Sequence, residues 1–269
     1  NVNNATPTIA NFSATSASVC AGNTITFTAT IGNVTGSYDY TLTNGVSTTT
    51  GTTTNTALSQ TLTAAGSTVQ TFTLVVTAAG QRASSTINVT VNPIPVPTLS
   101  ANLGGTLTCA QTSLTLTAGG GTTYAFSGPG VVSQNPTAGT AVVSSSGTYS
   151  VVATSSGCSA TTSVQISQDT NIPLVSIAPS IGTPAGVTLT CATPTVSLSV
   201  VGAGTYRWNT GAITSSISVT TAGTYSVTLT ADNGCSASAS IQVQQDTDIP
   251  SVSISPNSAT LTCANPTVT

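Results

Sequence analysis

A hexapeptide, QDTNIP at residues 168–173, returns as QDTDIP at residues 245–250, 77 residues later. The run GTYSV at residues 147–151 returns at residues 223–227, and each copy is followed by a Gly-Cys pair, Gly157-Cys158 and Gly234-Cys235. A third block, TLTCA, opens at Thr106, Thr188 and Thr260. Landmarks kept in one order at a period near 77 mark a tandem array. They divide the chain into repeats at residues 96–171 and 172–249, with residues 250–269 starting a further, incomplete repeat. Residues 1–92 form a divergent unit, closed by the Pro-rich stretch NPIPVP at 92–97, in which Val19-Cys20-Ala21 stands for TLTCA. Units of this size are small but sufficient for one two-layer core.

Inside a repeat the apolar period is 2. Val196, Leu198 and Val200 alternate with Thr195, Ser197 and Ser199, and Tyr225, Val227 and Leu229 alternate with Thr224, Ser226 and Thr228. That is the pattern of strands with one face buried and one wet. Asn209-Thr210-Gly211, Ala222-Gly223 and Asp232-Asn233-Gly234 are turn chemistry between them. About seven short strands per repeat, with no helical periodicity, predict an all-β fold of tandem immunoglobulin-like β-sandwich domains in an elongated array.

Composition narrows the function. The chain has 269 residues, 2 Lys+Arg, 5 Asp+Glu and no His, and only 3% of positions are charged, against the roughly 25% of an ordinary domain. The side chains that most often act as general acid, base or amine nucleophile are missing, so no catalytic residue, no cofactor and no metal site is expected. Two arginines cannot neutralise a phosphate backbone, which excludes nucleic acid as a partner. Apolar runs of two to four residues cannot span a bilayer. Disorder does not fit either, because Thr, Val and Ile dominate and charge is scarce.

The six cysteines point to disulfides and an oxidising compartment. Pairing within repeats joins Cys109 to Cys158 and Cys191 to Cys235, over spans of 49 and 44 residues; their near equality favours this scheme over Cys158 with Cys191 and Cys235 with Cys263. Zinc is the rival reading, without a His or a C-x-x-C to complete a site. Trp208 and Tyr206 read as core residues of the sandwich, with sugar stacking as the functional alternative. Tyr149 and Tyr225, each after Gly-Thr, read as tyrosine-corner residues that donate a structural hydrogen bond. Asp169, Asp246 and Asp248 lie in the linkers, where a turn-forming role and calcium binding compete. The Thr-rich residues 48–56 are ordinary outward strand positions, not an ice-binding array.

Five segments of the third unit carry a resemblance: Thr188-Leu189-Thr190-Cys191, Tyr206-Arg207-Trp208-Asn209-Thr210-Gly211, Ala222-Gly223-Thr224-Tyr225-Ser226-Val227, Asn233-Gly234-Cys235-Ser236 and the closing QDTDIP. The second repeat has the same series, with Tyr124-Ala125-Phe126 in place of Tyr-x-Trp. This series resembles the immunoglobulin-like and PKD-like repeats of Bacteroidota cell-surface adhesins, including gliding-motility adhesins and proteins exported by type IX secretion. The resemblance implies an extracellular location on a bacterial cell surface and a structural, adhesive role as a disulfide-stapled stalk. Its partners would be an unknown surface ligand or glycan, or further copies of itself in a fibre. The first unit departs from the series: Gln81-Arg82-Ala83 stands where Gly234-Cys235-Ser236 stands later, and Phe72 replaces Tyr225. Residues 250–269 offer too few strands for a domain, so the chain is expected to continue or to complete a neighbour's sandwich by strand addition.

Overall fold

The computed structural model describes residues 5–66, 68–182, 186–246, 248 and 251–253. Residues 250–269, expected to start a further repeat and including Cys263, lie almost wholly outside the described residues. The chain divides into two compact units, one of Asn1–Leu107 with Gln111–Gln168, the other of Thr108–Ala110 with Asp169–Thr269.

Eight strands form the first sandwich: β1 (Thr8–Ala14), β2 (Ser18–Cys20), β3 (Thr24–Gly32), β4 (Tyr38–Thr43), β5 (Thr48–Thr53), β6 (Ala57–Thr63), β7 (Val69–Ala78) and β8 (Gln81–Asn92). They make one sheet of order β1-β3-β6 and a second of order β2-β8-β7-β4-β5. The alternation of β3 explains the packing, since Ile25, Phe27, Ala29 and Ile31 point inward while the Thr between them face out. Phe27 meets Phe72 with ring centroids 4.6 Å apart, at the centre of a core that includes Leu42, Leu74 and Val76. Each such side chain, fully buried, contributes about 1.5–3 kcal/mol.

The second sandwich contains β9 (Thr98–Ala101), β10 (Thr106–Thr108), β11 (Leu114–Gly119), β12 (Thr123–Ser127), β13 (Val131–Asn135), β14 (Thr140–Val143), β15 (Gly147–Ser155) and β16 (Cys158–Asp169). Its sheets run β13-β14-β11-β9 and β10-β16-β15-β12. The third contains β17 (Ser176–Pro179), β18 (Val187–Leu189), β19 (Val196–Val201), β20 (Thr205–Trp208), β21 (Ser216–Val219), β22 (Gly223–Thr230) and β23 (Ser236–Gln245), in sheets β17-β19-β21 and β18-β23-β22-β20. Each sandwich has its own apolar core.

The strand orders are those of immunoglobulin sandwiches. One feature of them positions the cysteines. The opening strand of each sandwich splits between the sheets, and its short second half lies beside the last strand. In the first sandwich this pairing is parallel, with Ser18 opposite Thr90 and Cys20 opposite Asn92. In the third, Val187 lies opposite Val243 and Leu189 opposite Gln245, also in parallel. The cysteine that follows the short strand is thereby carried to the end of the last strand, the pole at which its sandwich finishes.

Candidate functional site

With no titratable cluster to build on, the chemistry of this chain is concentrated in its cysteines. Among the described residues no group of three or more His, Cys, Asp or Glu could hold a metal ion. The linker Asp169 instead closes a turn, its Oδ1 accepting from the Asn171 N–H at 3.2 Å and from Asn171 Nδ2 at 2.9 Å. Asp246 does the same for the Asp248 N–H at 3.0 Å.

Among the described residues two disulfides form, Cys20–Cys158 and Cys109–Cys235, with Cα–Cα distances of 5.7 and 5.0 Å. The expected bonds Cys109–Cys158 and Cys191–Cys235 are therefore not made, and Cys191 is an exposed free thiol. Each disulfide instead links the TLTCA-type cysteine of one repeat to the Gly-Cys cysteine of the next. Strand length gives the reason. In the third repeat Leu189, two residues before Cys191, sits opposite Gln245, ten residues along β23 from Cys235. At about 3.3 Å per residue that is about 33 Å, whereas a disulfide needs Cα atoms within about 7 Å. In the second repeat the Thr106 and Ser167 hydroxyls are hydrogen-bonded at 2.7 Å, and Ser167 stands nine residues along β16 from Cys158. The two cysteines of a repeat thus occupy opposite ends of its sheet. Equal spans within repeats were a consequence of the period and carried no information about contact. Cys20, which had no Gly-Cys pair in its own unit, was the available signal that pairing runs between repeats.

Both bonded turns are hairpin tips. β15 and β16 are joined through Ser156 and Gly157, with φ of 50° and 79°, and Ser155 lies opposite Cys158. Positive φ at both central residues marks the tight two-residue turn that suits hairpin twist. Asn92 Nδ2, at the end of β8, donates to Ser156 O at 2.9 Å. β22 and β23 are joined through Asp232, Asn233 and Gly234, with Gly234 at φ 78°. Here Ala110 N donates to Asn233 O at 3.3 Å, and Asn233 Nδ2 donates to Asp169 Oδ1 at 3.2 Å and Asn171 O at 3.0 Å. A Cβ on Gly234 would stand 2.5 Å from the Ala110 Cβ. At this junction the Gly before one cysteine and the Ala after the other meet.

Trp208, on β20, is 2% exposed and its indole N–H donates to Thr214 O at 2.9 Å, so neither ring face is open for sugar stacking. Tyr206 and Tyr225 are half-buried at the margin of the same core, and Val227 and Leu229 lie fully inside. The Tyr225 hydroxyl donates to Thr221 O at 3.0 Å, the Tyr206 hydroxyl to Gly202 O at 3.0 Å. Tyr149 is fully buried and donates to Ser145 O at 2.7 Å, with Pro129 O also in contact. Burial pushes the Tyr149 phenol up from its usual range, against a smaller lowering by a hydrogen bond with the Ser145 backbone. Tyr38, bonded to Asn55 O, is pushed up by burial and then by Tyr40.

No protein-family model matches the chain, and no curated protein does. Among solved structures the chain is similar to a three-immunoglobulin-domain stretch of titin, at 12% identity over 89% of this chain and 98% of that one, with a TM-score of 0.42. It is similar to the eight N-terminal immunoglobulin domains of Down syndrome cell adhesion molecule, at 12% identity over 90% of this chain and 37% of that one, TM-score 0.41. A C-terminal fragment of intimin, solved with the intimin-binding domain of its translocated receptor, is similar at 19% identity over 64% of this chain and 67% of that one, TM-score 0.39.

Proposed function

We propose that this chain is the structural and adhesive repeat region of a bacterial extracellular surface protein, a disulfide-stapled stalk of the kind its sequence blocks resemble in Bacteroidota adhesins. The observation that carries the reading is the pairing of each TLTCA-type cysteine with the Gly-Cys cysteine of the following repeat. A bond inside a domain protects that domain alone. A bond from one repeat to the next limits how far successive repeats are drawn apart and puts the chain between them off the load path. The Cys20–Cys158 bond spans 138 residues, so at about 3.3–3.6 Å per residue it withholds about 480 Å of extension. The residue set supports a passive role, since there is no His and the five Asp are spread along the chain.

Single-molecule stretching tests this reading. The oxidised chain should release much less contour length than the reduced chain, and a reductant added during the pull should restore it. Equal lengths with and without reductant would contradict a load-bearing role. A filament subunit is the second reading, favoured by the 3% charge content and by exposed apolar side chains such as Leu174, Val96 and Ile213. Ordered fibres of constant width in negative stain would favour it over separate thin particles.

A further inference from the structure

Three positions in the chain are built alike, and two of them are occupied. Cys20 ends, and Cys109 follows, a short strand beside the final strand of its repeat, and each is bonded to a cysteine at the tip of a hairpin from the next repeat. Cys191 follows β18, which lies parallel to β23, and Asp246 N donates to Leu189 O at 2.8 Å; beside Cys20 the short and last strands are also bonded, there with Ala21 N donating to Asn92 O at 2.9 Å. Cys191 and Ala192 form the tip of a turn closed by Thr190 and Thr193, whose hydroxyls are 2.9 Å apart and whose backbones bond each other at 3.3 and 3.1 Å. The thiol is exposed and free. Beside it Leu189, Thr190, Pro194, Thr220, Gln245 and Asp246 line a concavity of about 270 Å³.

The polar partners are also in place. At the Cys109–Cys235 bond the incoming Asn233 amide is received by Asp169 Oδ1 and Asn171 O. QDTNIP and QDTDIP align Asp246 with Asp169 and Asp248 with Asn171, and the Asp246 turn is closed in the same way. Ala192 matches Ala110, against which Gly234 packs.

We propose that the face around Cys191 is a covalent docking socket for the cysteine-bearing hairpin of a further repeat of this type carried on the same chain, with Cys191 as its attachment thiol. The proposal rests on the two disulfides and not on the biological role of the stalk. In forming the bond, the Cys191 thiol and the incoming thiol each lose a proton, and one S–S bond forms between them. The two electrons pass to an oxidant of the disulfide class, glutathione disulfide or a thiol oxidoreductase, whose own S–S bond is cleaved to two thiols. The incoming turn has the form Asn-Gly-Cys, with Asn for the Asp246 clamp and Gly because the tip must pass within contact of Ala192, as Gly234 passes Ala110.

The test extends the full chain. A second copy of residues 172–249 is inserted after residue 249, with Ser236→Ala in the inserted copy as a mass tag and Cys191→Ser in that copy so that the original Cys191 alone is read, and the product is folded in a glutathione redox buffer. Non-reducing digestion and mass spectrometry should find the original Cys191 bonded to the tagged peptide, and Cys191 should lose its reactivity to iodoacetamide. In the unextended chain Cys191 should stay reactive. Cys191 that remains alkylatable in the extended chain, or that bonds Cys263, the untagged Cys235 or a second molecule, would overturn the proposal. Asp246→Ala in the original unit should slow protection of Cys191 several-fold without changing the Cys109–Cys235 bond; an unchanged rate would show that the socket is not built as described.

Discussion

The hairpin that delivers Cys158 and the hairpin that delivers Cys235 reach the same kind of bond through different geometry. The first turns through Ser156 and Gly157, both at positive φ, and a Cβ on Gly157 would meet nothing within 4 Å. The second turns through three residues, of which Gly234 alone is at positive φ, and there the added Cβ would collide with Ala110. The polar clamp is reversed as well. Asn92 at the receiving end donates to the first turn, whereas Asn233 in the second turn donates to the receiving Asp169 and Asn171. What is common to both is the end-of-sheet cysteine and the hairpin tip, so the disulfide defines the junction and the hydrogen bonds around it are interchangeable.

Removing each disulfide gives the largest expected difference between the two regions. Cys109→Ser and Cys20→Ser should each cost about 2–5 kcal/mol, with similar values because loop entropy depends only on the logarithm of loop length. Trp208 lies between Cys109 and Cys235, so its fluorescence midpoint in denaturant should fall for Cys109→Ser and stay in place for Cys20→Ser. Equal shifts would break the claim that the junctions are separate.

Next in size is the glycine comparison. Gly157→Ala bears only the positive-φ strain, about 1–2 kcal/mol. Gly234→Ala bears that strain and the clash with Ala110, so its loss in denaturant unfolding should exceed that of Gly157→Ala, and Ala110→Gly should recover the part due to the Ala110 Cβ, the Ala110 N and Cα still lying 2.8 and 3.0 Å from the added Cβ. A loss for Gly234→Ala no larger than for Gly157→Ala would place the cost in the turn alone.

The asparagines should give smaller effects. Asn233→Ala removes three side-chain hydrogen bonds, two donated to Asp169 and Asn171 and one accepted from Cys235 N, and Asn92→Ala one, at about 0.5–1.5 kcal/mol per bond, so Asn233→Ala should be the more costly in denaturant titrations.

The smallest effect should appear in alkali. Tyr38 and Tyr149 have phenols raised above 10.0 by burial, so the folded state resists their ionisation. Their contribution is complete below pH 10 and is lost as pH rises from the unfolded value through the raised folded value. Tyr149→Phe should flatten the decline in stability above pH 10, and an unchanged slope would remove Tyr149 from the account.

How far the sequence was legible follows the range of the interactions. The alternation in residues 224–229 is local, and it placed Val227 and Leu229 inside, as found; Trp208, read as a core residue of the sandwich, lies inside as well. The placing of Tyr206 and Tyr225 was less sharp. Alternation assigns a face and not a depth, and both rings sit at the margin of the core. Cysteine pairing was misread because it depends on which end of a sheet each cysteine occupies. That is set by the parallel pairing of a three-residue strand with the far end of the last one, and three residues carry little periodic signal.

Disulfide mapping tests the central claim most directly. Non-reducing proteolysis of the oxidised chain, followed by mass spectrometry, should yield peptides joined through Cys20–Cys158 and Cys109–Cys235, with Cys191 alkylated as a free thiol. Peptides joined through Cys109–Cys158 and Cys191–Cys235 would contradict it.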